Sequence, residues 1–156
     1  MTGARGASAA TGSAPASLGE EAADFPVHAM LRAQGEVLDL MADGAPLSEV
    51  LSRIATLVEG LAPPALCSIQ LLQPDGKRLK PAAAPSLPEA YCAAIDGVEI
   101  GPCVGSCGTA AFRREPVIVT DIATDPLWAG PRELTLSFGL RACWSLPIMT
   151  RSNTVL

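Results

Sequence analysis

Residues 101–128 read GPCVGSCGTAAFRREPVIVTDIATDPLW. Gly101, Pro102 and Gly105 keep the start of this stretch out of helix, whereas SCGTAAF can begin one with Ser106 at or near its cap and Cys107 in its first turn. PVIVTDI, bounded by Pro116 and Asp121, has the apolar, β-branched composition of a strand. Asp125 before Pro126 then signals a second helix start. A glycine-lined turn, a short helix, a strand and another short helix thus follow one another within these residues.

Two cysteines among three glycines invite a chemical interpretation. A structural zinc site takes two close ligand pairs, and here there is one loose pair, Cys103 and Cys107, with the only histidine, His28, far away along the chain. A phosphate-cradling P-loop carries a lysine after its second glycine, and GPCVGSCGTAA has none. A thiol in the first turn of a helix feels the positive end of the helix dipole and free amide groups, which predicts a lowered pKa for Cys107. The same turn suits the anionic or carbonyl group of a small ligand. The alternative is that the glycines serve close packing and both thiols are inert.

Upstream, Val27, Leu31, Leu38 and Met41 fall at helical spacing, interrupted by Gln34, and predict a first helix for packing or dimerisation. After the break at Asp43 and Gly44, Pro46 suits a first-turn position. Leu47, Val50, Leu51, Ile54, Leu57, Val58 and Leu61 then predict a second helix, ended by APP at 62–64. LCSIQLLQ alternates as a strand, PDG at 74–76 is a turn, and KRLKPAA returns as the second strand of a hairpin. SLPEAYCAAIDG reads as a short helix ended by Gly97, and VEIG as a brief strand.

Downstream, GPRELTLSF predicts a helix ended by Gly139. LRACWSLPI predicts a strand with Leu140, Ala142, Trp144, Leu146 and Ile148 on one face and Arg141, Cys143 and Ser145 on the other. MTRSNTVL predicts a hairpin turn leading into the first residues of a further strand, so that a longer protein is expected to continue past Leu156. These elements make an α+β domain, an antiparallel sheet with helices on one side.

The chain has 156 residues, about half of them apolar, enough for one core of ordinary size. Residues 1–24, almost without large apolar side chains, are expected to be a disordered tail, leaving 25–156 as the domain. A net charge of -5 with interspersed signs offers no basic patch for nucleic acid. No window holds the roughly 18 uninterrupted apolar residues of a membrane span, and no secretory leader is evident, so a cytoplasmic setting without membrane insertion is expected. The odd set Cys67, Cys92, Cys103, Cys107 and Cys143 then reads as thiols rather than as a disulfide framework.

The stretch quoted above, followed by GLRACWSLPI and preceded by SIQLLQPDGKRLKPAAAPSLPEAYCAAIDGVEIG, resembles a GAF domain over roughly residues 30–156. The likeness is to the bacterial type attached to sensor histidine kinases and to cyclic-di-GMP synthases and phosphodiesterases. It implies a PAS-like antiparallel sheet of about six strands, helices on one face and a ligand pocket on the other. Ser106 to Ala111 and the segments DIATDPLW and RELTLSF would roof the pocket, Arg141, Cys143 and Ser145 would floor it, and Trp144 with Leu146 would face the helices. Cys107, Thr109, Asp121, Trp128, Arg132, Arg141 and Cys143 are the implied ligand-binding candidates, and Cys103 and Cys107 the redox candidates. For each the competing role is packing or capping: Asp121 ending a strand, Arg132 solvated on a helix, Trp128 plugging the core.

The resemblance carries no cofactor identity. The Asn-Lys-Phe-Asp-Glu signature of cyclic-nucleotide binders is absent, no cysteine precedes a histidine as in bilin-binding members, and His28 is badly placed as a haem ligand. GSCGTAA is also similar to the motif of free methionine-(R)-sulfoxide reductases, but their attacking cysteine has no counterpart in DPLWAGPRELTLSFGLRA. The function implied is sensory, with an unidentified small molecule or thiol redox state controlling an output domain beyond residue 156. A homodimer is expected, and a dimerisation-only module is the third alternative. The family's last strand, which would pair with LCSIQLL, and its C-terminal helix are not found, so an open central edge is expected.

Overall fold

The computed structural model describes residues 27–156; the tail assigned to 1–24 lies outside the described residues. Two long helices come first, α1 (Val27–Ala42) and α2 (Leu47–Leu61). Strands β1 (Ile69–Leu72) and β2 (Leu79–Ala83) follow, then α3 (Glu89–Ile95), α4 (Gly105–Arg113) and β3 (Val117–Val119). A 3-10 turn at Pro126–Trp128, α5 (Arg132–Ser137) and β4 (Cys143–Ser145) complete the order.

The hairpin comes from local chemistry. Asp75 Oδ1 accepts from the Lys77 and Arg78 amides at 2.9 and 3.2 Å, and its other oxygen pairs with the Arg78 guanidinium at 2.8 Å. The turn so closed sets Leu72 opposite Leu79 in an antiparallel ladder, with a bulge between Ile69 and Gln70. VEIG, expected as a strand, shrinks to one bridge between Arg78 and Glu99, because the hairpin edge meets it only around Gly97 to Ile100.

The fold is α+β as expected, but its strands form two antiparallel pairs, β1 with β2 and β3 with β4, instead of one sheet of about six. Among the described residues the outer edges of β1 and β4 have no ladder partner. MTRSNTVL does turn back: Asn153 sits at φ +62, Met149 bridges Val155, and Leu156 donates to the Ile148 carbonyl at 3.0 Å.

Each strand pair has its own core. Ala55, Ile69 and Ala83 are buried together beneath Leu51, Ile54 and Cys67, fixing α2 on the hairpin. Ala110, Val117, Val119, Ile122 and Trp128 form the second core, flanked by Leu127, Leu136, Leu140 and Cys143. Glu59 ties the first half together, accepting from the Cys67 amide at 2.9 Å and the Ser86 hydroxyl at 2.6 Å. The halves meet where Tyr91 of α3 stacks edge-on against Phe138 at a ring separation of 5.4 Å.

Two expectations about faces are corrected. The stripe Val27, Leu31, Leu38 and Met41 is exposed along its whole length. The half-buried residues of α1 are instead Ala29, Ala33, Gly35, Val37 and Leu40, three of them small enough to bring it near α2, where Arg53 donates to Glu36. On β4 the alternation is as read, with Cys143 and Ser145 half-buried beneath α4, but the face expected against the helices is open: Trp144 and its cross-strand neighbour Ile118 are exposed, as are Leu146 and Ile148. α2 covers the β1–β2 hairpin and α1 packs on α2, while α4 covers the Cys143 side of β4.

Truncating Ile122, which has no exposed surface, removes methyl groups from the centre of the second core. Ile122→Ala is expected to lower stability by about 2–5 kcal/mol in urea unfolding, whereas the exposed Trp144→Ser should change it by less than about 1 kcal/mol.

Candidate functional site

α4 is the element that assembles the site, and its sequence explains how closely it can dock. Gly105 adopts φ +55, and a Cβ there would stand 3.4 Å from the Trp128 ring. A Cβ on Gly108 would come within 2.9 Å of Val104 Cβ. Val104, not Ser106, occupies the cap position, without a side-chain cap bond. The loop before it is closed from inside, since the Val104 amide donates to Thr109 Oγ1 at 3.1 Å and the Gly101 amide to the Gly108 carbonyl at 3.3 Å. At the far end Arg114 takes the left-handed conformation at φ +62 and its amide closes on Ala110.

Ser106 is wholly buried in the first turn and joins three elements. Its hydroxyl donates to the Cys143 carbonyl of β4 and accepts from the Trp128 indole, both at 3.3 Å. Next to it, Cys107 Sγ lies 3.1 Å from Ser145 Oγ, and Cys143 Sγ lies 3.8 Å from the same oxygen. Two thiols from opposite ends of the segment therefore converge on one hydroxyl. Tyr91, buried on α3, stands in the electrostatic field of both. Beside it Thr135 of α5 is 1% exposed, and its hydroxyl makes no hydrogen bond of normal geometry, although it lies close enough to the phenol to favour its ionised form.

The thiols do not behave as the helix-dipole argument predicts. Cys107 is pushed well above the ordinary thiol value, first because its proton bonds to Cys143 and then by burial. Cys143 is the acidic member, lowered to about 6 chiefly by the Cys107 thiol, against the opposing effect of burial and with help from the Ser106 and Ser145 hydroxyls. Burial outweighs the dipole at Cys107 and, with the partner donating to it, Cys143 holds the negative charge. Tyr91 is raised by burial first.

The remaining sequence candidates divide clearly. Thr109 is buried and spent on closing the loop. Trp128 is core, held by Gly105 and Ser106. Asp121 is exposed and forms a turn, accepting from the Ala123 amide at 3.0 Å and the Thr124 hydroxyl at 2.8 Å. Arg132 donates to the Asp125 and Ile122 carbonyls at 2.9 and 3.3 Å, and Arg141 to the Leu136 carbonyl at 3.1 Å, so both fasten backbone. Cys103 is exposed in the loop before α4 and is not among the hydrogen-bond partners of Cys107. Ser106, read as a cap and as the start of the roof, and Tyr91 and Thr135, not singled out at all, are brought to the thiols. Among the described residues, clefts of about 550 and 330 Å³ lie elsewhere, between α1 and α2 and between α2 and the hairpin. No helix among the described residues is long and apolar enough to cross a membrane.

Comparison with known proteins agrees with this architecture. A family profile described as GAF domain matches residues 44–156. The chain belongs to the GAF domain family. It is 39% identical over 127 residues to the methyl sulfide methyltransferase-associated sensor of Methanosarcina acetivorans, covering 81% of this chain but only 13% of that protein. Among solved structures it is similar to the GAF domain of an Acinetobacter phosphoenolpyruvate-protein phosphotransferase, with a TM-score of 0.59, 18% identity, and coverage of 81% of this chain and 71% of that one. It is also similar to a domain of a putative two-component sensor histidine kinase from Sinorhizobium meliloti 1021, with a TM-score of 0.53, 20% identity, and 70% and 68% of the two chains covered. These structural likenesses establish the fold.

Gly108→Ala should cost about 1–3 kcal/mol of stability, because Val104 is held by its bond to Thr109 and cannot retreat. Gly130→Ala, with open space around it, should stay within about 0.5 kcal/mol; both values are read by chemical unfolding. Asp121 is held below the ordinary carboxylate range, first by the Thr124 hydroxyl and then by the Ala123 amide, with Arg132 and Arg141 adding smaller effects. Its contribution is therefore present above its unfolded value of about 4 and lost as pH falls through the folded one. Asp121→Asn should melt below the parent at about pH 7, and the two Tm values should converge as the pH is lowered through the folded-state value.

Proposed function

We propose that this GAF domain is a sensory module whose site between α3, α4, α5 and β4 reads a small molecule or the redox state of its thiols and controls an output domain of a longer signalling protein. The observation that carries this is the buried, unpartnered hydroxyl of Thr135 beside Tyr91 and the Cys107–Cys143 pair. An unsatisfied polar group costs about 1–3 kcal/mol, which a ligand able to hydrogen-bond there would recover. The similarity to a protein named as a sensor supports the same assignment. Its chemistry favours a small neutral or anionic ligand with a hydrogen-bonding group, because Tyr91 and Thr135 supply hydroxyl protons and the charged side chains Asp121, Arg132 and Arg141 are turned to backbone.

Signal transmission would run through the helices. The exposed residues Val27, Leu31, Leu38 and Met41 offer α1 a surface for a second copy, so that a homodimer is part of this proposal. A signal at the site alters output only if it binds two arrangements of the domain with different affinity. Five free thiols suit a reducing, cytoplasmic setting.

The test is the intact mass of the chain isolated from its host cells, under native and then denaturing conditions. A mass excess lost on denaturation, and weakened about tenfold by Thr135→Val, or a deficit of two hydrogens, is the expected result. A bare chain with all five thiols reduced would overturn the proposal.

A further inference from the structure

We propose that Cys107 and Cys143 are a hydroperoxide-reactive dithiol that closes into a disulfide, with Cys143 as the attacking thiolate and Cys107 as the resolving thiol. This rests on the sensory function above and narrows its signal to one chemistry. The geometric basis is that both sulfurs lie on Ser145 Oγ, at 3.1 and 3.8 Å, while Cys103, four residues from Cys107 in sequence, is turned into the exposed loop. The helix start and the strand are locked together by Ser106, so the two thiols are held opposite each other without ordering a flexible segment.

The roles of the two thiols differ because their surroundings differ. Cys143 accepts from Cys107 and faces the Ser145 hydroxyl at 3.8 Å, which with the nearby Ser106 hydroxyl lowers it to about 6 and favours its thiolate form. Cys107 keeps its proton. Both remain half-buried, so a small peroxide can reach them through modest opening. The other two cysteines have no such arrangement: Cys67 is raised by burial and by Glu59, and Cys92 is on α3 without a thiol hydrogen-bond partner among the described residues.

The chemistry balances in two steps. The Cys143 thiolate attacks the distal oxygen of ROOH, the O–O bond breaks, and the departing alkoxide takes a proton to give ROH, leaving Cys143 as a sulfenic acid. Cys107 sulfur then attacks Cys143 sulfur, the S–O bond breaks, and the leaving hydroxide takes the Cys107 proton as water. Two thiols lose two electrons and two protons, and the peroxide is reduced to alcohol and water. Ser145, on both sulfurs, is positioned to donate to the thiolate before the first step and to the hydroxide leaving in the second.

The experiment treats the reduced chain with hydrogen peroxide at pH 7, quenches with an alkylating agent, and maps peptides by mass spectrometry. A cross-linked Cys107–Cys143 peptide is expected, forming at least about tenfold faster than an unfolded thiol of the same chain oxidises. Cys107→Ser should leave a Cys143 sulfenic acid that dimedone traps, Cys143→Ser should abolish the rapid phase, and Cys103→Ser should change neither. Far-UV circular dichroism on each variant separates lost chemistry from lost folding. A Cys103–Cys107 disulfide, or Cys143 oxidation at the unfolded-thiol rate in a folded chain, overturns the proposal. Amide hydrogen exchange of α1 and α2 in the oxidised and reduced chains reads the sensory function separately. A disulfide that forms without altering their protection upholds the thiol chemistry and removes the redox signal, whereas no disulfide alongside a native mass excess removes the chemistry and leaves ligand sensing standing.

Discussion

The buried hydroxyl of Ser106 holds the second half of this domain together. It takes a proton from the Trp128 indole and gives its own to the Cys143 carbonyl, so one side chain joins α4, the 3-10 turn and β4. Without it the buried indole N–H would be short of a partner, at a cost of about 1–3 kcal/mol, and the Cys143 carbonyl of half-buried β4 would lose one. The glycines on either side make this approach possible. Gly105 lies against the Trp128 ring, and Gly108 lies where any Cβ would strike Val104. Trp128, so fixed, fills the core with Val119 and Ile122. The same docking places Cys107 over β4, which is why the site and the core share one constraint.

The hairpin, the two long helices and the short helices were legible in the sequence because each carries a local signal. Asp75 and Gly76 write the hairpin turn; Asp125 caps the turn that begins with Pro126, accepting from the Leu127 amide at 2.8 Å. What α1 packs with was not legible. Its large residues Val27, Leu31, Leu38 and Met41 form the more conspicuous stripe, yet small Ala33 and the pair Val37 and Leu40 lie on the half-buried side. Helix contact distance favours small side chains at a close approach, and hydrophobicity alone does not report it. The sheet divided for a related reason: strand pairing depends on partners remote in sequence, and short segments such as VEIG extend only as far as a neighbouring edge allows.

Of the site, the motif around Cys107 was evident and its electrostatics were not. A first-turn thiol ordinarily gains from the helix dipole. Here Cys107 keeps its proton and donates it to a second thiol, and Cys143, identified as floor and as a ligand-binding candidate but not as a redox one, becomes the acidic member. Tyr91 and Thr135 carried no sequence signal, since a lone tyrosine in SLPEAYCAAIDG and a threonine in RELTLSF fit any amphipathic helix. Arg132 and Arg141 were conspicuous as charges, but the carbonyls of Ile122, Asp125 and Leu136 needed donors, and the two guanidinium groups supply them.

The most direct test of the Ser106 bridge is a double-mutant cycle in chemical unfolding with Ser106→Ala and Trp128→Phe. Phe keeps most of the ring volume and deletes the indole donor, so the cycle isolates the hydrogen bond that joins α4 to the core. The single costs should exceed the cost of the double mutant's second step by a coupling of about 0.5–1.5 kcal/mol. Additivity to within about 0.3 kcal/mol would show that Ser106 and Trp128 act independently, and would contradict the bridge from α4 to the core.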